Sequence, residues 1–208
     1  MKKSTSRTTQ PIRVDAQRNE MDKYFMHHNP RDRVLFAIGI YTGRRISDIL
    51  NLDVRDIAEI DRQGHLHIRE RLELQEVKTG KFADILIHPK LKRILSKYLR
   101  QRRKKCETLG ALLNEPLLKS QKPRRDGQHR ITRRHALRIL SECARACSVE
   151  GRIGTHSLRK TFGYIQHQNG ISIETIQQAL NHSSPAITLS YIGITRDDMN
   201  EAILSMDY

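Results

Sequence analysis

Apolar residues in this 208-residue chain recur at helical spacing almost throughout, and the stretch that departs from it is residues 65–88. There HLHIR (65–69) and VKTGKFADILI (77–87) alternate or cluster β-forming residues around Thr79-Gly80, the pattern of a small antiparallel sheet or hairpin. Upstream, Val34, Leu35 and Ile38, then Ile46, Ile49 and Leu50, share helix faces on either side of Thr42-Gly43. Two helices meeting at a tight turn are expected there, the second beginning near Arg44. Pro89 opens KLKRILSKYLRQRRKK (90–105), an amphipathic helix with one strongly basic face. Residues 109–128 are loop-rich, and helical patterns return at 132–148, 156–167 and 173–180. The expected fold class is α+β, mostly helical, with one small antiparallel sheet or hairpin in a single chemical unit.

The chain has no Trp and only 5% aromatic residues, so its core must be aliphatic. Its 38 Lys and Arg against 23 Asp and Glu leave a formal net charge of +15. Such an excess attracts polyanions, because each cation placed on a phosphate releases condensed counterions. Cys106, Cys143 and Cys147 form no CxxC pair, and the last two share a helix face, which favours free thiols over a disulfide or a zinc site. The longest apolar run, residues 34–41, is far short of the roughly 20 residues that span a bilayer, and no apolar signal core follows the basic N-terminus. A cytosolic protein that avoids membranes is expected.

Four stretches combine cationic side chains with turn or cap positions. TGRRISDIL (42–50) sets two arginines after a Gly turn at a helix start, where a guanidinium and backbone N–H groups suit a phosphate. VKTGK (77–81) places Lys78 at a hairpin tip. THSLRKTF (155–162) puts His156 and Arg159 on one helix face, with Thr155 as a candidate cap; this pairing suits a proton donor or acceptor beside a phosphate-binding fork. LNHSSPAITLSYI (180–192) holds His182 and, nine positions on, Tyr191. Taken singly, each also reads as a basic helix start, a solvated tip, a chance pair or a core tyrosine.

Their order is more specific than any one of them. TGRRISDIL, VKTGK, THSLRKTF, LNHSS and SYI together resemble the tyrosine recombinase (phage integrase) family, over residues 22–195. The resemblance implies that family's catalytic-domain fold and, position by position, its catalytic set: Arg45, Lys78, His156, Arg159, His182 and Tyr191. Arg45 rather than Arg44 matches the Thr-Gly-x-Arg pattern, and Lys78 matches the hairpin lysine, with Lys81 the alternative. Asp48 stands where the family carries Glu and would brace the Arg45 guanidinium. In these roles Arg45 and Arg159 neutralise the phosphate and lower the pKa of the Tyr191 phenol, His156 takes its proton, Lys78 protonates the departing 5′-oxygen, and His182 hydrogen-bonds the phosphate. No cofactor and no metal are required.

Composition, helix signals and the resemblance together divide the chain into a flexible basic arm (1–18), a catalytic domain (19–194) and a C-terminal helix (195–208). That helix would start at a Thr195/Asp198 capping box and dock through Met199, Ile203 and Leu204 in cis or on a neighbouring protomer. The family's N-terminal core-binding domain is not evident, and a solitary catalytic-domain protein is expected in preference to an excised fragment. The expected activity is site-specific DNA recombination through a 3′-phosphotyrosine. The expected partner is double-stranded DNA, bound by a homo-tetramer on paired sites, with an accessory DNA-bending protein, in a nucleoid-associated cytoplasmic setting. A type IB topoisomerase-like enzyme and a non-catalytic DNA-binding protein are the alternatives.

Overall fold

Six consecutive residues, Val34 to Gly39, are buried in helix α2 (Pro30–Thr42), so this helix must be covered on every side. The computed structural model, which describes residues 8–124, 126–194 and 203–206, shows how. Helix α1 (Asp15–His28) packs along α2, joined to it at Asn29, whose extended backbone ends α1 and whose side chain caps α2 by accepting from the Arg31 N–H at 3.0 Å. Pro30 follows at the first helical position, where its missing N–H has no cost. Two helices therefore stand before Thr42 where one was expected. Gly43 closes α2 in the left-handed region (φ 62°), a conformation glycine adopts without strain, and the chain re-enters helix as α3 (Ile46–Asn51) and α4 (Val54–Ile57).

The β region is two hairpins rather than one sheet. Strands β1 (Ala58–Ile60) and β2 (Leu66–Ile68) pair antiparallel, and β3 (Arg71–Gln75) pairs antiparallel with β4 (Phe82–Leu86), with Gln75 opposite Phe82 at the turn end. Helix α5 (Pro89–Arg103) packs on α2 and buries Leu91, Leu95 and Leu99; most of its basic residues face outward, while Arg102 turns in to the Pro116 and Leu117 carbonyls. Helices α6 (Leu109–Leu113) and α7 (Arg133–Ala146) follow, then α8 (Ser157–Gln168), α9 (Ile173–Ala179) and α10 (Pro185–Ile192). The main core is aliphatic apart from Phe25, Phe36 and Tyr98, while Ile176, Leu180 and Ile192 form a second small cluster where α8, α9 and α10 meet. Cys143 is buried, Cys106 and Cys147 are half-buried, and all three are free thiols. No described helix is long and apolar enough to cross a membrane.

The arm differs from expectation at its C-terminal part. Ile12 is only 1% exposed, the Gln10 N–H donates to the Arg152 carbonyl at 3.0 Å, and α1 already begins at Asp15. The buried Pro11 and Ile12 dock this part of the stretch on the domain. Residues 1–7, and the capping box and Met199 of the expected C-terminal helix, lie outside the described residues; Ile203 and Leu204 are exposed.

Candidate active site

The turn at Gly43 faces α8 so closely that a Cβ there would stand 2.4 Å from Phe162 Cδ1. The two following arginines point in different directions. Arg44 turns inward and is 4% exposed, donating to Glu76 Oε1 at 3.0 Å, to the Thr42 carbonyl at 3.2 Å and to the Ala179 carbonyl. Arg45, at the N-cap of α3, keeps its side chain 18% exposed and donates to Glu76 Oε2 at 2.5 Å. Glu76 thus binds both guanidiniums, and it also accepts from the Thr79 hydroxyl at 2.6 Å. Burial would raise its pKa, but the hydrogen bonds from Thr79, Arg45 and Asn181 outweigh it and hold the carboxyl at about 2.

Asp48, expected to brace Arg45, does something else. Its Oδ1 accepts the Val77 N–H at 3.0 Å and its buried Oδ2 has no hydrogen-bond partner. The shorter side chain holds the hairpin backbone, and the bracing carboxylate is that of Glu76. Lys78 stands exposed on the β3–β4 turn, without a hydrogen-bond or ion-pair partner among the described residues. Of the six predicted catalytic residues it is the one not drawn into the cluster; Lys81, its alternative, is also exposed.

Arg159 projects from α8 into the interior at 2% exposure, where Nη1 donates to the Gly43 carbonyl at 2.7 Å and Nη2 to the Leu180 carbonyl. One guanidinium therefore joins the Thr-Gly turn to the end of α9. Burial lowers its pKa to about 10, which leaves it cationic at neutral pH. His156 is the N-cap of α8 itself, and no side chain caps that helix, so Thr155 does not play the expected role.

Helix α10 presents Tyr191 from its last turn. Ser184 caps it by accepting the Ile187 N–H, Pro185 fills its first position, and Ile192 is fully buried against α8. Gly163 permits this approach, since a Cβ there would lie 2.6 Å from Ile192 Cγ2. The Tyr191 Oη reaches to 3.5 Å from His156 Nδ1, and its ring meets that of His182 edge-on at 4.8 Å. Lys160 Nζ lies over the same ring, 5.2 Å from its centroid. Burial raises the phenol's pKa, and although Arg159 and Arg45 push the other way they do not reverse it. The arginines lower the phenol's pKa as expected, but burial is the larger effect.

Both histidines are held neutral. Desolvation first, then the nearby cations Arg133, Lys160, Arg159 and Arg45, keep the His156 pKa below its ordinary value. Arg133 donates to His156 Nε2 at 3.3 Å; because guanidinium only donates, Nε2 must accept, and the ring proton is assigned to Nδ1. Desolvation, with Arg159 and Arg45, lowers the His182 pKa to about 4, and its Nδ1 lies 3.1 Å from the Thr188 hydroxyl. A depressed histidine pKa contributes stability that is complete above the unfolded value of about 6.5 and is lost as pH falls toward about 4. His182→Gln is accordingly expected to flatten the fall of the urea midpoint between pH 7 and pH 4, and an unchanged slope would contradict the assignment.

The structure therefore gathers Arg45, His156, Arg159, His182 and Tyr191, and leaves Lys78 on a hairpin whose base is tied to Arg45. Three site residues escaped sequence reasoning: Glu76, Arg133 and Lys160. Glu76 had a signal, since Leu72, Leu74 and Glu76 fall on one face of a strand whose Leu72 is buried, and a carboxylate on a buried face needs cationic partners. Among the described residues no three His, Cys, Asp or Glu side chains are grouped as metal ligands. The cluster offers fixed cations, a half-buried phenol and a neutral imidazole, a combination suited to nucleophilic displacement at an anionic ester.

Comparison with known proteins adds to this geometry. Residues 16–197 match the family described as "Phage integrase family". The chain is 40% identical over 193 residues to the probable integrase/recombinase YoeC of Bacillus subtilis (strain 168), covering 93% of this chain and 94% of that protein. It is 29% identical over 173 residues to the tyrosine recombinase XerA of Pyrococcus furiosus, covering 83% of this chain but only 54% of that longer protein. Its fold superposes on the XerH site-specific recombinase, solved in a post-cleavage complex with its difH substrate, with a TM-score of 0.66 at 17% identity, covering 96% of this chain and 54% of that one.

Proposed function

The chain belongs to the phage integrase family of site-specific DNA recombinases, and from that premise we propose that it cleaves and rejoins double-stranded DNA through a 3′-phosphotyrosine on Tyr191. The observation that carries this reading is the convergence on one phenol of His156 at 3.5 Å, His182 edge-on and the buried Arg159. The Tyr191 oxygen attacks the scissile phosphorus while its proton passes to His156. The bond from phosphorus to the 5′-oxygen breaks, and Lys78 supplies the proton that the departing oxygen needs. Arg45 and Arg159 absorb the charge that builds on the non-bridging oxygens, where cations fixed in advance act most strongly. His182, neutral and braced by Thr188, hydrogen-bonds the phosphate. Attack on the phosphotyrosine by a 5′-hydroxyl of a partner strand reverses each step, so the bond energy is conserved.

Arg133 adds a condition to this sequence. While it occupies His156 Nε2, the ring proton sits on Nδ1, the nitrogen nearest the phenol. Proton transfer from Tyr191 then requires the other tautomer, which a DNA phosphate would release by attracting Arg133 away. The neutral state of His156 places the acid limb of the cleavage rate below the ordinary histidine value of about 6.5.

Recombination of paired sites implies two duplexes and a homo-tetramer, with a DNA-bending protein as accessory, in the nucleoid-bearing compartment. The net charge of +15 supports DNA affinity. A supercoiled plasmid carrying paired target sites should yield recombinant products, and relaxation of site-free plasmid in their place would favour the type IB topoisomerase reading. Lys78→Ala should lose roughly 10²–10⁴-fold in cleavage and recover on a substrate whose 5′-bridging oxygen is sulfur, which leaves without a proton. Rescue of Lys81→Ala instead would transfer the role to Lys81.

A further inference from the structure

Residues 9–13 run between the two segments that carry Tyr191 and His156. At one end, the Gln10 N–H donates to the Arg152 carbonyl at 3.0 Å, and Thr9 packs so near Gly154 that a Cβ there would lie 3.0 Å from Thr9 Cγ2. Both contacts fall on the loop that leads into His156. In the middle, the Ile12 side chain is buried and its N–H donates to Thr161 Oγ1 on α8 at 2.8 Å. At the other end, Arg13 Nη2 donates to the Gly193 carbonyl at 2.5 Å, two residues beyond Tyr191. Arg18 fixes the backbone between them, donating to the Ile12 carbonyl at 2.7 Å and the Arg13 carbonyl at 2.6 Å.

Gly193 is the C-cap of α10 in the left-handed region (φ 82°), and a Cβ on it would meet Arg13 Nη2 at 3.0 Å and Pro11 Cδ at 3.5 Å. A helix end exposes carbonyls that lack intrahelical partners and carries partial negative charge, so a guanidinium there satisfies both. Helix α10 has only 8 residues, too few to hold its own geometry without tertiary ties. The Arg13 guanidinium also lies 5.5 Å from the Tyr164 ring centroid on α8, which fixes the direction from which it reaches Gly193.

We infer that residues 9–13 are a strap that sets the position of Tyr191 relative to His156, with Arg13 a positioning residue acting through the Gly193 carbonyl. The inference rests on the reading of Tyr191 as nucleophile. Arg13 itself is exposed, so replacing it opens no core. In Arg13→Ala, amide exchange over residues 189–194 of the DNA-free protein should accelerate by about fivefold or more, the value of one lost hydrogen bond, while α5 is unchanged. On a nicked target at saturating DNA, the single-turnover rate of adduct formation should fall by roughly 10- to 100-fold, as for a small misplacement of a reacting group. Affinity and its salt slope, measured in a Tyr191→Phe background, should stay within about twofold. Arg13→Lys, which retains a cationic donor, should recover part of both losses. Unchanged exchange over 189–194 would overturn the strap. So would a weaker, flatter salt dependence with an unchanged saturating rate, because Arg13 would then be a phosphate contact. If the parent protein forms no adduct, the functional reading fails, and the exchange measurement still decides whether Arg13 holds α10.

Discussion

Glu76→Ala is expected to destabilise the protein by about 3–5 kcal/mol, the range for removing one partner of a buried ion pair. Arg44, 4% exposed, would keep its charge and lose its carboxylate, and Arg45 and Thr79 would lose the same acceptor. Glu76→Gln retains one acceptor oxygen and should fall between the two. Because the folded carboxyl titrates at about 2, below the ordinary value of about 4.3, the parent protein's advantage is complete above the unfolded value and fades as pH drops through the folded one. Urea midpoints at pH 7 and pH 3 measure this. A loss at pH 7 below about 1 kcal/mol, the scale of a single ordinary hydrogen bond, would show that Glu76 is not the brace. The same variant should reduce cleavage, since among the described residues Arg45 is aimed by this carboxylate and the hairpin bearing Lys78 is tied to it through Thr79.

Arg159→Ala is the second large effect. Its guanidinium does two jobs, holding the Gly43 and Leu180 carbonyls and placing positive charge beside Tyr191. Two buried carbonyls left without donors cost about 1–3 kcal/mol each. Loss of a fixed charge at the transition state costs about 10²–10³ in rate. Arg159→Lys separates the two jobs: it keeps the charge, but an ammonium lacks the planar fork that spans both carbonyls. Its adduct rate should therefore stay close to that of Arg159→Ala, and a rate near that of the parent would mean that charge alone is needed.

Much of this site was legible because its residues occupy short segments whose local signals are strong. Thr42-Gly43 marks a helix end, and the structure puts Gly43 in the left-handed region there. The helix expected over 156–167 is observed as Ser157–Gln168, and the hairpin about Thr79-Gly80 as β3 and β4. Strand β1 was not legible, since the three residues of Ala58–Ile60 are too few to display alternation. Helix α10 reads poorly because apolar residues lie on all of its faces, giving no periodicity to detect. Long-range ties were the least accessible. Glu76 reaches Arg44 across 32 positions and Arg13 reaches Gly193 across 180, separations at which no local pattern constrains a partner. The Asp48 expectation was carried over from the position where the family has Glu, and the shorter side chain instead accepts the Val77 amide of the folded hairpin.

The central claim is that Tyr191 becomes covalently bonded to DNA. Incubation with a suicide substrate, nicked so that the short fragment released with a free 5′-hydroxyl diffuses away, should accumulate a protein–DNA adduct that survives denaturation. The Tyr191→Phe protein, which keeps the ring contact with His182 and lacks only the hydroxyl, should bind the same DNA and form none. An adduct that persists in Tyr191→Phe, or its absence from the parent protein on its own target site, would contradict the account.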